Sequence, residues 1–285
     1  MSKATKAKGL SLHIGLNSVD PGHYAGWAGE LTACEADAED MHAIAEKRGF
    51  SATLLKTGEA SREAVIANIR NAARTLSKGD IFFLSYSGHG GQVPDLNGDE
   101  YDLQDETWCL YDGQLIDDEL RLLWGEFVRG VRVLVLSDSC HSGTVTKLAF
   151  FARSGGMAVP TMDLSPAAEQ PRYKFMPPEI AMRTYRQNRD FYDTLGASLP
   201  KKPLPIRAAV RLISGCQDNQ LSQDGTFNGL FTGTLLRAWS DGRFKGDYNA
   251  FHRKIQSMMP PSQSPNHYFI GIQNLAYDAQ RPFTL

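Results

Sequence analysis

The sequence predicts an α/β fold built on a mostly parallel sheet. Three observations carry this: short apolar runs bounded by turn residues, segments of helical apolar spacing between them, and polar, glycine-rich stretches that end two of the runs. Strands are expected at residues 10–16, 52–55, 81–86, 131–136 and 208–213. Cys34, Met41 and Ile44/Ala45 fall at helical spacing. So do Val65, Ile69, Ala72 and Leu76, after Ser61, whose hydroxyl suits an N-cap. Leu120, Leu123, Trp124 and Phe127 mark a third helix, entered through Asp117 and Asp118. Further helices are expected around 179–195, 230–239 and 248–258. Strands alternating with helices imply parallel pairing, and in such sheets a ligand sits at the carboxyl ends of the strands.

Composition narrows the function classes. Hydrophobic residues at 42% and charged residues at 22% are ordinary for a globular chain with a proper core. A formal net charge of −2 gives no reason to expect nucleic acid or an anionic membrane as partner. No apolar run approaches the ~20 residues that span a bilayer. Residues 1–9 form a basic, polar tail without the apolar stretch of a signal peptide, so the expected location is the cytoplasm. Cys34, Cys109, Cys140 and Cys216 make no Cys-x-x-Cys pair, which argues against zinc, and three of them are expected as buried thiols. From 151 to 205 the texture changes, with eight of the fourteen prolines between Pro160 and Pro205. One domain is therefore expected over 10–285, carrying an inserted loop region at about 151–205.

Chemistry concentrates where two strands end. The 81–86 strand runs into Ser87-Gly88-His89-Gly90-Gly91, and the 131–136 strand into Ser137-Asp138-Ser139-Cys140-His141-Ser142-Gly143. A nucleophilic thiol needs a base within hydrogen-bond reach and donors for the oxyanion it creates. If the two strands are neighbours, His89 and Cys140 emerge at one sheet edge, and the N–H groups of Gly90 and Cys140 make an oxyanion hole. A His and a Cys can also end two strands by chance. His141 adjoins the thiol but points elsewhere as the strand ends, which makes it a poor base.

Tyr86-Ser87-Gly88-His89-Gly90, followed ~50 residues later by Asp138-Ser139-Cys140-His141-Ser142-Gly143, resembles the catalytic pair of the caspase–hemoglobinase clan of cysteine peptidases. The wording around Cys140 is similar to the metacaspase branch and its bacterial relatives. The resemblance implies a three-layer sandwich with helices on both sheet faces, and peptide hydrolysis through a thioester acyl-enzyme, with no cofactor required for the chemistry. By the same match, Cys34, Asp37, Ser87 and Asp138 line the specificity pocket. Two carboxylates there imply cleavage after Arg or Lys, whose cations relieve the repulsion between them. The implied partners are protein or peptide substrates and an activating protease, and the implied state is a monomer. A clostripain-like branch of the clan, or a catalytically silent module that binds through the cleft, are the alternatives.

A second acidic group comprises Asp95, Asp99, Asp102, Asp105, Glu106, Asp112, Asp117 and Asp118. Oxygen ligands at this density suit Ca²⁺, although the spacing is not that of an EF-hand. The family resemblance picks out Asp105, Asp117 and Asp118 as calcium ligands, but it also implies an acidic residue where this chain has Lys147. The 213–220 stretch is similar to a family segment beside the cleft. The insertion carries Arg153, Arg172, Lys174, Arg183, Arg186, Arg189, Lys201 and Lys202, so an Arg/Lys-specific enzyme would find substrates in its own loop. That leads to the expectation of an occluding segment, removed by cleavage.

Overall fold

The computed structural model describes residues 7–95, 103–139, 172–200, 204–216, 220 and 222–285. A six-stranded sheet runs in the order β2-β1-β3-β7-β8-β9. Its strands are β1 Gly9–Gly15, β2 Ser51–Lys56, β3 Ile81–Ser87, β7 Arg132–Asp138, β8 Ala209–Ser214 and β9 Asn266–Gly271. Every pairing is parallel except that of β9 with β8. All five expected strands are present within a residue or two. Lys8 and Gly9, assigned to the tail by sequence, belong to the folded body: Gly9 begins β1, and the Lys8 amide donates to Asp80 Oδ1 at 2.8 Å.

Alternation along the strands divides the core into two layers. Leu12, Ile14, Phe82, Leu84, Val133 and Val135 pack against α2 (Arg62–Thr75) and α3 (Asp117–Gly125). Ile81, Phe83, Leu134 and Leu136 pack on the opposite face against α1 (Cys34–Lys47), α6 (Leu230–Trp239) and α7 (Tyr248–Gln256). Period-2 alternation in strands buried on both faces is what places helices on both sides. Ser61 caps α2 as expected, its hydroxyl accepting from the Ala64 amide at 3.2 Å. The helix expected over 179–195 is two, α4 (Pro178–Gln187) and α5 (Arg189–Ser198), broken at Asn188, where the backbone leaves helical geometry. The last helix is the short α8 (Leu275–Asp278). Among the described residues no helix is long and apolar enough to cross a membrane.

A small antiparallel sheet of β4 (Gly90–Pro94), β5 (Gln104–Leu110) and β6 (Gly113–Ile116) was not expected from the residue pattern. Two glycines and a proline disguise β4, and acidic residues open β5. This sheet matters because its first residue, Gly90, directly follows His89.

Candidate active site

The sheet register builds the site. Ser87 lies opposite Asp138 where β3 and β7 end, and His89 and Cys140 each follow two residues further along their chains. Cys140 lies outside the described residues, as do His141, Lys147, Asp99, Asp102 and, within the insertion, 151–171 and 201–203.

His89 is buried, and its Nε2 lies 2.8 Å from the Gly29 carbonyl. A carbonyl can only accept, so Nε2 carries the hydrogen and Nδ1 carries the lone pair. Nδ1 is buried and has no hydrogen-bond partner among the described residues. The Trp27 ring tilts over the imidazole with centroids 4.7 Å apart. Gly29 adopts φ +56°, and a Cβ there would stand 2.8 Å from Trp27 and 3.0 Å from His89, so glycine lets the carbonyl approach. Burial lowers the His89 pKa to about 4, against the opposing pull of the Gly29 carbonyl.

Beside it lies a pocket built around two buried carboxylates. Asp37 Oδ2 accepts from Ser87 Oγ at 2.7 Å, and Asp37 Oδ1 accepts from Asn228 Nδ2 at 3.1 Å and Gly229 N at 3.0 Å. Asp138 Oδ1 accepts from Ser222 Oγ at 2.6 Å, and Asp138 Oδ2 accepts from Thr232 Oγ1 at 2.7 Å and Thr232 N at 3.2 Å. Gly229 and Thr232 belong to the first turn of α6, whose amides and dipole favour negative charge. Burial pushes the Asp37 carboxyl up, and neighbouring Asp138 adds to it. Burial pushes the Cys34 thiol up, with Asp37 adding to it and Lys174 and Ser87 opposing, so it is a neutral wall of the pocket. The structure thus brings Cys34, Asp37, Ser87 and Asp138 together.

The pocket holds the chain's own Lys174. Its fully buried ammonium donates to Asp37 Oδ2 and Ser87 Oγ, each at 2.9 Å, and lies 3.1 Å from Asp138 Oδ2. Burial works against that charge, but Asp138 and Asp37 overcome it and hold the lysine pKa well above its ordinary value. The Lys174 carbonyl accepts from Gly90 N at 3.1 Å, the donor expected to serve an oxyanion. A cavity of about 10 Å³, the room of a single water, remains beside the carboxylates, bordered by Ser85, Leu136 and Phe231.

The calcium ligands expected from sequence do not assemble in the same way. Among the described residues no three acidic, histidine or cysteine side chains form a metal-binding group. Asp117 and Asp118 head α3 and line a cavity of about 230 Å³ whose other walls are mainly apolar, including Trp108, Trp124, Val135 and Ile270. That is a poor setting for a hard cation. In the 213–220 stretch, Gly215 and Cys216 back the site: Cys216 Sγ donates to the Ser139 carbonyl at 3.4 Å.

Sequence reasoning missed Ser222, Asn228, Gly229 and Thr232. The turn-forming run Asp224-Gly225-Thr226-Phe227-Asn228-Gly229 before a helix was the available signal. It also missed Trp27 and Gly29, in a turn-rich stretch where nothing points to His89. Lys174 stood among eight basic residues with no mark to single it out.

Residues 19–279 match the model of the caspase domain family. Metacaspase-1 of Kluyveromyces lactis is 29% identical over 272 residues, 87% of this chain and 61% of that protein. Metacaspase-1 of Schizosaccharomyces pombe is 30% identical over 261 residues, 83% of this chain and 60% of that one. The chain therefore spans about three fifths of the length of these relatives. The crystal structure of protein GSU0716 from Geobacter sulfurreducens is 57% identical, with a TM-score of 0.87, covering 98% of this chain and 99% of that one. Caspase-1 from Spodoptera frugiperda shares the fold, with a TM-score of 0.55 at 11% identity over 93% of this chain and 87% of that one.

Proposed function

Since the chain belongs to the caspase domain family of cysteine peptidases, we propose that it hydrolyses peptide bonds after Arg or Lys, with Cys140 as nucleophile and His89 as base. One observation carries the specificity: a lysine side chain already fills the Asp37–Asp138 pocket while its own carbonyl rests on Gly90 N–H. The water-sized space beside the carboxylates supports arginine as well, whose guanidinium is larger than an ammonium.

Chemistry follows from the donors in place. Neutral His89, with its hydrogen fixed on Nε2 by Gly29, offers the Nδ1 lone pair to the Cys140 thiol. The thiolate attacks the carbonyl carbon, and the oxyanion takes hydrogen bonds from Gly90 N–H and Cys140 N–H. The protonated imidazole delivers its proton to the leaving amine, and water resolves the thioester. Asp37 and Asp138 bind the side chain before the scissile bond, and Ser87 and the α6 amides hold both in orientation. The enzyme is further proposed to act as a cytoplasmic monomer on protein substrates, with its activity controlled through the inserted loop.

Purified protein incubated with peptides bearing Arg, Lys or Asp before a reporter group tests this reading. Turnover of the Arg and Lys peptides alone, lost in Cys140→Ala, is expected. Preference for Asp would refute it.

A further inference from the structure

Helix α1 begins without a cap of its own, because Ala33 at that position offers no side-chain oxygen. Two distant residues supply the acceptors instead. Asn17 Oδ1 accepts from Cys34 N at 3.0 Å and from Glu35 N at 3.2 Å, which satisfies the first two amides of the helix. Asp224 binds one step earlier: its Oδ2 accepts from Thr32 N at 2.7 Å and its Oδ1 from Ala33 N at 3.2 Å. The Thr32 hydroxyl reaches Asp224 Oδ2 at 2.9 Å or the Gly225 carbonyl at 2.8 Å. Asn17 therefore serves the helix, while Asp224 grips the turn that leads into it. That turn carries Gly29, whose carbonyl holds His89 Nε2. The half-buried Asp224 also sits inside the stretch whose Ser222, Asn228, Gly229 and Thr232 orient the pocket carboxylates.

Resting on the peptidase reading above, we propose that Asp224 is a positioning residue for His89: its carboxylate clamps the turn that anchors the imidazole and favours the charged ring. The need arises in the reaction. His89 starts neutral and becomes an imidazolium when it takes the thiol proton, and a buried cation without a counter-charge is strongly disfavoured. The acids of the pocket cannot serve, since Asp37 and Asp138 are already paired with a cation. Asp224 binds only neutral donors among the described residues, two amides and a hydroxyl, so its charge remains to act on the ring. Burial lowers the His89 pKa most; among neighbouring charges Asp224 raises it and the Lys174 ammonium lowers it. A cap alone would not require aspartate, since asparagine caps a helix as well.

The test separates charge from clamp in the purified full chain. Asp224→Asn keeps an oxygen for Thr32 and removes the charge, whereas Asp224→Ala removes both. With the Arg reporter, Asp224→Asn should lower kcat about tenfold and keep KM within about twofold of wild type. Its thermal unfolding midpoint should stay within about 3 °C of wild type. Asp224→Ala should lose at least as much kcat and also unfold earlier. A second readout follows the His89 ring by NMR in a Cys140→Ala chain, from neutral pH down to about 4, where it should begin to take up a proton. With Asp224→Asn added the ring should stay neutral over that range, because losing a nearby negative charge lowers the pKa further. Wild-type kcat in Asp224→Asn would make Asp224 a cap only, overturning the proposal and leaving the peptidase reading standing. So would a His89 titration that the substitution leaves in place. A wild type inactive on both Arg and Lys reporters would overturn the peptidase reading and this proposal together.

Discussion

Lys174 Nζ and Asp37 Oδ2 stand 2.9 Å apart across 137 residues of sequence, and Asp138 completes a buried triad of two carboxylates and one ammonium. Removing the cation leaves two like charges in a dry site. In a Cys140→Ala background, Lys174→Met should lose about 3–5 kcal/mol of stability. Lys174→Arg should lose far less. Urea unfolding at neutral pH measures both.

Asp138 should dominate substrate recognition. Asp138→Asn is expected to cut kcat/KM for Arg and Lys reporters by about 2–5 kcal/mol, at least ~30-fold. Thr232→Val and Ser222→Ala, each removing one hydrogen bond to that carboxylate, should cost about 1 kcal/mol. Equal kcat/KM in Asp138→Asn and the wild type would mean that the pocket does not read charge.

Gly229 admits no side chain. A Cβ there would overlap the Lys174 ammonium and the Asp138 carboxylate. Gly229→Ala should therefore destabilise the chain by about 1–3 kcal/mol through overpacking. Reporter turnover should fall too, because a substrate's Arg or Lys meets the same methyl. Calorimetry and steady-state kinetics read the two effects separately.

His89 ties stability to acid. Its folded pKa of about 4 lies below the ordinary 6.5 because it is buried neutral. Between those values the unfolded chain takes up a proton that the folded chain refuses, so stability falls as pH drops from about 6.5 to 4. The full effect is about 3 kcal/mol. His13 and His267, also lowered by burial, add in the same direction. In a Cys140→Ala chain, His89→Gln should flatten the unfolding free energy against pH across this window. An unchanged slope would deny His89 a part in it.

Trp27 is a positioning residue. Its ring confines the imidazole that Gly29 anchors. Trp27→Ala should reduce kcat for the Arg reporter about tenfold with little change in KM, whereas Trp27→Phe should keep most of the activity. A drop confined to KM would place Trp27 in substrate binding instead.

What the sequence could reveal divides along physical lines. The parallel strands and the His89 and Asp138 positions were legible because each strand is an apolar run that ends in polar residues, and register then follows from pleat and packing. Asp37 needed a likeness to known proteins, since an acidic residue in the first turn of a helix has an ordinary local explanation. Ser222 and Thr232 were illegible because they act through a partner more than 80 residues away. Lys174 was hidden for the opposite reason. A lysine in a proline-rich stretch looks solvated, and only the tertiary fold supplies the two carboxylates that let it be buried.

Lys174 is held from both sides. Its own amide donates to the Ser222 carbonyl, and the Met176 amide donates to the Gly90 carbonyl, so the segment ties the loop before α6 to the small sheet. Vacating the pocket means breaking these backbone bonds together with the buried ion pair. The pocket therefore empties in one cooperative opening of the segment, with no path by rotation of the lysine side chain alone.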